Sequence, residues 1–142
     1  MIRAFLLCQM FCLPLRHLSL TSAYGYRIHP ITGQYRFHQG VDLRARHDTV
    51  FAVTAGIATI GYDSLLGIFL RISDGKLICT YGHLSTVLID SAQVTEGMPI
   101  AITGSTGRVT GEHLHLAISY DGKAVDPLRL LYQFIHKSNN HE

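Results

Sequence analysis

Apolar and polar positions alternate in short runs along most of this chain, and turn residues break the runs at short intervals. That pattern predicts many short strands. Val50 to Ile60, VFAVTAGIATI, mixes small and apolar residues and reads as a strand interrupted at Gly56. Leu66 to Tyr81, LGIFLRISDGKLICTY, sets β-branched and aromatic runs on either side of Asp74-Gly75. Asp-Gly readily takes the positive φ angles of a tight turn, so this segment reads as a hairpin. Gly111 to Tyr120, GEHLHLAISY, meets a second Asp-Gly at 121–122 and returns through KAVDP as another hairpin. The glycines of ITGSTGRVTGE form the loop before it. Only Pro127 to His136, PLRLLYQFIH, carries helical spacing, with Pro127 at the first helical position. The expectation is a mainly β fold in one domain with a short C-terminal helix.

Composition narrows the function classes. The 142 residues suffice for one domain with one core. A hydrophobic share of 47% against 15% charged residues marks a globular chain. A net charge of +2, with no basic run and no basic patch interleaved with aromatics, argues against nucleic acid as a partner. The cysteines are Cys8, Cys12 and Cys79, an odd number without a CxxC pair, so neither a disulfide framework nor a thiolate zinc site is implied. Cys79, inside LICTYGHL, reads as a small buried hydrophobe. The start, MIRAFLLCQMFCLPL, has one early arginine and then an apolar run, like the first two regions of a secretory signal. It is too short to span a bilayer as a stable helix. The nearest cleavage-like triplet, Thr21-Ser22-Ala23, falls in what reads as the first core strand. The expected organisation is a truncated leader over 1–12, a domain over 13–136 and a polar tail over 137–142.

Nine histidines are many for this length, and spacing sorts them. His113 and His115 lie two apart on a strand, so they share one face with α-carbons roughly 6.6 Å apart, while Leu114 and Leu116 point into a core. A zinc ion could accept one of the pair directly and leave the other to act on a bound water or a substrate; spacing alone does not say which. In FHQGVD, Asp42 follows His38 by four residues, and Gly40 is expected to let the backbone bend so that the two converge. Zinc takes histidine nitrogen and aspartate oxygen together, and a catalytic site wants three protein ligands and one open position. YGHL places His83 at the end of a strand, just before a polar turn. Two histidines and one aspartate carry a single negative charge, which leaves the metal cationic enough to bring the pKa of a bound water towards roughly 7. Further imidazoles titrate near neutrality and can move protons or stabilise an oxyanion. His17, His47, His136 and His141 lack partner spacing and read as solvated. Gly104, Gly107 and Gly111 are no phosphate loop, because no Lys-Ser or Lys-Thr follows and no strand-loop-helix context fits.

Taken together, the segments SAYGYRIHPITGQYRFHQGVDL, VFAVTAGIATIGY, TYGHLS, GSTGRVTGEHLHLAI and VDPLRLL make a chain that, from about Leu13 to Phe134, resembles the lysostaphin-like (LytM-type) zinc metallopeptidases. The resemblance implies a compact antiparallel β-sheet domain with a substrate groove, and hydrolysis of peptide bonds in bacterial peptidoglycan. It implies Zn2+ held by His38, Asp42 and His115, with water as the fourth ligand. It makes His113 and His83 the catalytic pair, His113 handling the water's proton and His83 steadying the tetrahedral intermediate, roles that can be exchanged. It places the substrate, and so the protein, in the cell envelope, periplasmic or secreted. Some relatives of this fold are non-catalytic wall-binding or regulatory modules. Those typically lack a ligand or catalytic residue, whereas all five positions are filled here, which favours an enzyme. A structural zinc site usually closes with four protein ligands, commonly cysteines, and Cys79 has no paired partner. In YGYRIHP, Arg27 and His29 are expected to shape a loop rather than line the groove. Tyr81 reads equally as a hydrogen-bonding group near the site or as packing. Glycine bridges and D-alanyl-diaminopimelate links are both cut within the family, and no residue separates them. Oligomeric state is not legible.

Overall fold

The computed structural model describes residues 11–138. Apart from Phe11 and Cys12, the expected leader lies outside these residues, as do His141 and most of the polar tail. Strands β1 (Leu20–Ser22), β2 (Gly25–Ile28), β3 (Tyr35–His38), β4 (Gly40–Arg44), β5 (Thr49–Phe51) and β6 (Gly56–Asp63) are followed by β7 (Gly67–Ser73) and the long β8 (Leu77–Val87). Then come β9 (Gln93–Val94), β10 (Pro99–Thr103), β11 (His113–Tyr120), β12 (Lys123–Val125) and helix α1 (Pro127–Ser138). Every strand pairing is antiparallel, as expected. The expected hairpins are β7–β8 and β11–β12, and Asp121 and Gly122 in the second turn take φ of 50° and 78°. Val50 to Ile60 divides into two strands, with β6 opening at the expected Gly56.

One sheet runs β1-β4-β11-β8-β7-β6-β9, with β10 and β5 attached at the far half of β8 and β12 beside β11. Its middle is two-faced because strand side chains alternate. Leu43 lies opposite Leu114 and Val41 opposite Leu116, and all four are fully buried. Full burial of each such side chain is worth about 1.5–3 kcal/mol. Cys79 and Tyr81 of β8 enter the same core. Tyr81 is packing: its hydroxyl accepts a hydrogen bond from the Val53 amide at 2.9 Å, away from the histidines. Helix α1 closes this side with Leu130 and Leu131. Asp126 caps it: its Oδ1 accepts from the Leu128 amide and its carbonyl from the Leu130 amide, and Pro127 starts the first turn. Burial pushes the Cys79 thiol up to about 12, so it behaves as the inert hydrophobe expected.

The opposite face of β4 and β11 is polar. Above it stands the separate hairpin β2–β3, which the sequence reading treats as a loop. The strands GYRI and YRFH are short, and their alternation is hidden because one face carries exposed aromatic rings. Between this hairpin, the loop at Leu65–Leu66 and the loop 108–110 lies a groove of about 790 Å³. Among the described residues no helix is long and apolar enough to cross a membrane.

Candidate metal centre and groove

On β11 and β4, His115 sits opposite Asp42 and His113 opposite Arg44. Cross-strand partners share a face, so the Leu43–Leu114 and Val41–Leu116 pairs that build the core also aim His115 and Asp42 at each other. His115 Nδ1 lies 2.9 Å from Asp42 Oδ1. His38, at the last residue of β3, completes the group: its Nε2 lies 3.3 Å from Asp42 Oδ1 and 3.3 Å from His115 Nδ1. These three residues offer donor atoms that all lie within 4.8 Å of one another.

Gly40 makes this packing possible, though not by bending the chain. It lies within regular β4, and the chain bends at Gln39 instead. A Cβ on Gly40 would come within 2.5 Å of the Leu116 carbonyl and 2.9 Å of the His115 ring. The missing side chain is therefore clearance for the imidazole that lies across the backbone.

The donor set suits a divalent metal. The Ala23 carbonyl can only accept, so His38 Nδ1, 3.0 Å away, carries the proton and Nε2 keeps its lone pair for the cluster. Burial opposes the charge on Asp42, but the adjoining His115 and His38 imidazoles outweigh it and hold the carboxyl well below the usual carboxylate range. One carboxylate oxygen and two imidazole nitrogens are the ligand types zinc accepts, and three ligands leave a tetrahedral position open.

Two more histidines flank the cluster. His113 Nε2 is 3.6 Å from Asp42 Oδ1, and its Nδ1 donates to the Gly111 carbonyl at 2.9 Å. The His83 ring centroid lies 4.7 Å from that of His113. His83 is not at a strand end, as the sequence suggests, but within β8 at a bulge. From Leu70 to Ile68 the partner strand advances two residues while β8 advances three, Tyr81 to Leu84. His83 takes φ of 60°, and here β8 stops pairing β11 and begins to pair β10. Strict alternation after Tyr81 would send His83 into the core. The extra left-handed residue turns it into the groove and returns Leu84 to the core.

That conformation is held by the neighbouring loops. The His83 amide donates to the Leu66 carbonyl, its carbonyl accepts from Gly104, and its Nδ1 donates to the Thr106 carbonyl at 2.8 Å. Thr106 is itself fixed, its hydroxyl donating to the Leu84 carbonyl at 2.7 Å and accepting from the Ile68 amide at 3.1 Å. Gly67 and Gly107 pack backbone to backbone beneath it, where a Cβ on either would strike the facing segment's main chain. Burial lowers the His83 pKa more than the Thr106 hydrogen bond raises it, so the ring is neutral at pH 7 with Nε2 as its free nitrogen.

Other expected positions fall differently. His29 shapes a turn, its Nδ1 accepting from the Ile31 and Thr32 amides. Arg27, expected to do the same, instead faces the groove, with Nη2 3.7 Å from Asp42 Oδ2. His17 and His136 are exposed, while His47, though largely exposed, pairs with Glu112 at 3.3 Å. The signals missed in the sequence are the β2–β3 alternation, which puts Arg27 on the His38 side, and the threonine of GSTG that anchors His83.

The chain has known relatives. The chain is 35% identical over 121 residues to the DD-carboxypeptidase/endopeptidase Mpg of Neisseria meningitidis, a match covering 81% of this chain and 27% of that protein. It thus spans about a quarter of the length of the curated relatives it matches. It superposes on a zinc containing peptidase from Vibrio cholerae with a TM-score of 0.75 and 29% identity, over 82% of this chain and 39% of the other. The catalytic domain of lysostaphin from Staphylococcus simulans gives 0.72 and 27%, over 81% of this chain and 92% of that domain. Residues 36–127 match Peptidase family M23, and the chain belongs to that family.

Proposed function

We propose that this chain is a zinc-dependent endopeptidase that hydrolyses peptide bonds in the cross-links or stem peptides of bacterial peptidoglycan, in the cell envelope, periplasmic or secreted. The observation that carries the reading is the convergence of His38 Nε2, Asp42 Oδ1 and His115 Nδ1 within 3.3 Å of one another, beside His83 and His113 on the floor of a groove. The DD-carboxypeptidase/endopeptidase activity of the Neisseria relative supports the substrate class. His38, Asp42 and His115 would hold zinc, which supplies Lewis acidity to polarise the scissile carbonyl and acidify a water.

The remaining work falls to two imidazoles. His113, anchored through Nδ1 on the Gly111 carbonyl, presents Nε2 beside Asp42. It takes the proton of the attacking water and returns it to the leaving amine. His83, anchored on Thr106, faces the same space and steadies the oxygen of the tetrahedral intermediate when protonated. The two rings lie 4.7 Å apart and face the same space, so their roles can exchange or be shared. The walls of the groove admit an extended peptide.

Zinc analysis of the purified chain, followed by release of fragments from isolated cell walls, tests the reading. His115→Ala should lose both metal and fragment release. His113→Ala should keep the metal and lose release by about 100-fold or more. Undiminished release by His115→Ala would overturn the proposal. A wild type that binds zinc and walls but frees no fragment would fit the non-catalytic module instead.

A further inference from the structure

The groove is charged, and its charges are unbalanced. Three arginines line it: Arg27 from β2, Arg36 from β3 and Arg108 from the loop before β11. The register places Arg27 opposite Arg36, on the side of the hairpin that also carries His38. Among the lining residues Asp42 is the one carboxylate, and it is committed to His38 and His115. A cation held there would consume its charge altogether.

None of the three guanidinium groups is neutralised otherwise. Arg27 has the 3.7 Å contact to Asp42, and its buried Nε has no hydrogen-bond partner. Arg36 donates from Nε and Nη2 to Gln34 Oε1, an uncharged acceptor. Arg108 is exposed, and among the described residues its side chain meets no carboxylate. The three share one space: Arg27 and Arg36 are cross-strand neighbours, and Arg108 lines the same groove. Like charges gathered without counter-charges beside a reaction centre await an anionic ligand. The fork of a guanidinium matches a carboxylate in particular.

We propose that Arg27, Arg36 and Arg108 form a subsite for a free carboxylate on the substrate residue next to the scissile bond. The groove then selects anionic stem peptides and passes over neutral glycine bridges. Arg27, nearest the metal cluster, meets the carboxylate directly, and Arg36 and Arg108 close over it from the two rims. This rests on the peptidase reading given above for the bond that is cut, but not for the binding of the peptide.

The probes are diacetyl-L-lysyl-D-alanyl-D-alanine and its terminal carboxamide, identical except for the charge after the last peptide bond. Binding to the zinc-loaded full chain is read as Kd by NMR titration, and hydrolysis separately by mass spectrometry. The acid should bind about tenfold more tightly than the amide, or be cut with about tenfold higher kcat/KM. Added salt should shrink that ratio. Arg36→Gln combined with Arg108→Gln, both exposed positions, should lower it by about threefold while zinc content and melting temperature stay unchanged, the remainder being due to Arg27. Equal treatment of the two peptides by the wild type, or no binding of either, overturns the subsite. Hydrolysis without acid preference leaves the peptidase reading standing and the subsite fallen. Acid preference in Kd without hydrolysis does the reverse.

Discussion

Strands β11 and β8 bring histidines to the same groove by opposite means. On β11 the ladder is regular: His113 and His115 face the groove because Leu114 and Leu116 face the core, and the pairing with β4 runs unbroken from His113 to Ala117. On β8 the ladder is broken at the residue that matters. His83 reaches the groove through a bulge and a left-handed backbone, held by two loops that belong to neither neighbouring strand. A non-glycine residue there costs roughly 1–2 kcal/mol of backbone strain. The metal-side imidazole is thus set by the core itself, whereas the flanking one depends on contacts outside the core. Damage to the two regions should differ in kind: the first should cost metal and fold together, the second activity with metal kept.

The largest effect is expected at Gly40. In Gly40→Ala the new Cβ collides with the Leu116 carbonyl and the His115 ring, both on the regular ladder. Overpacking of this sort costs about 1–3 kcal/mol, and the ring must also leave its place beside Asp42. Zinc retained after dialysis should fall to near zero, and the metal-free protein should melt several degrees lower, about 2–4 °C per kcal/mol for a domain near this size. Full zinc content in this variant would show that His115 does not need the clearance. A smaller and selective effect is expected at Thr106. Thr106→Val keeps the shape but removes the hydroxyl that bonds the Leu84 carbonyl and the Ile68 amide. Stability should fall by about 1–2 kcal/mol in urea titration, fragment release by about tenfold, and zinc content not at all. Loss of zinc together with activity would mean that the two regions are one unit, and the contrast drawn here would fail.

The same contrast explains what could be read from the sequence. Alternation of period two needs only local residues, so the two-faced strand HLHLAIS was accessible, as were both Asp-Gly hairpins and the helix that starts at Pro127. A bulge breaks the period, and nothing in TYGHLS marks the extra residue, because the αL position is occupied by histidine rather than glycine. The YGYRIHP segment was read as loop because Gly25 and Pro30 punctuate it, while the partner that turns it into a hairpin lies beyond the turn. Arg27 was set aside for that reason, although its cross-strand neighbour Arg36 and the His38 at the end of β3 decide which way it points. Gly40 was recognised as necessary, but for a bend; its true constraint is an imidazole from a strand some 75 residues later in the chain. Contacts of that range are invisible to spacing rules, which see one element at a time.

The finest test of the contrast compares alanine with glycine at two histidines. At His83, φ is 60°, where glycine is at ease and alanine is strained. Glycine also loses about 0.5–1 kcal/mol more conformational entropy on folding, but the strain it avoids is larger. His83→Gly should therefore be more stable than His83→Ala by roughly 0.5–1 kcal/mol, although both lack the imidazole and both should be inactive. At His113, in the regular part of β11, no strain offsets the entropy, and the order should invert: His113→Ala above His113→Gly by about 0.5–1 kcal/mol. Urea titrations of the four variants, all freed of metal by a chelator, read both differences on one scale. Each is small, but their signs are opposite, and a sign is harder to mimic than a magnitude. The same order at both positions would mean that β8 adopts ordinary strand geometry at His83 in solution, and that its imidazole reaches the groove by some route other than the bulge.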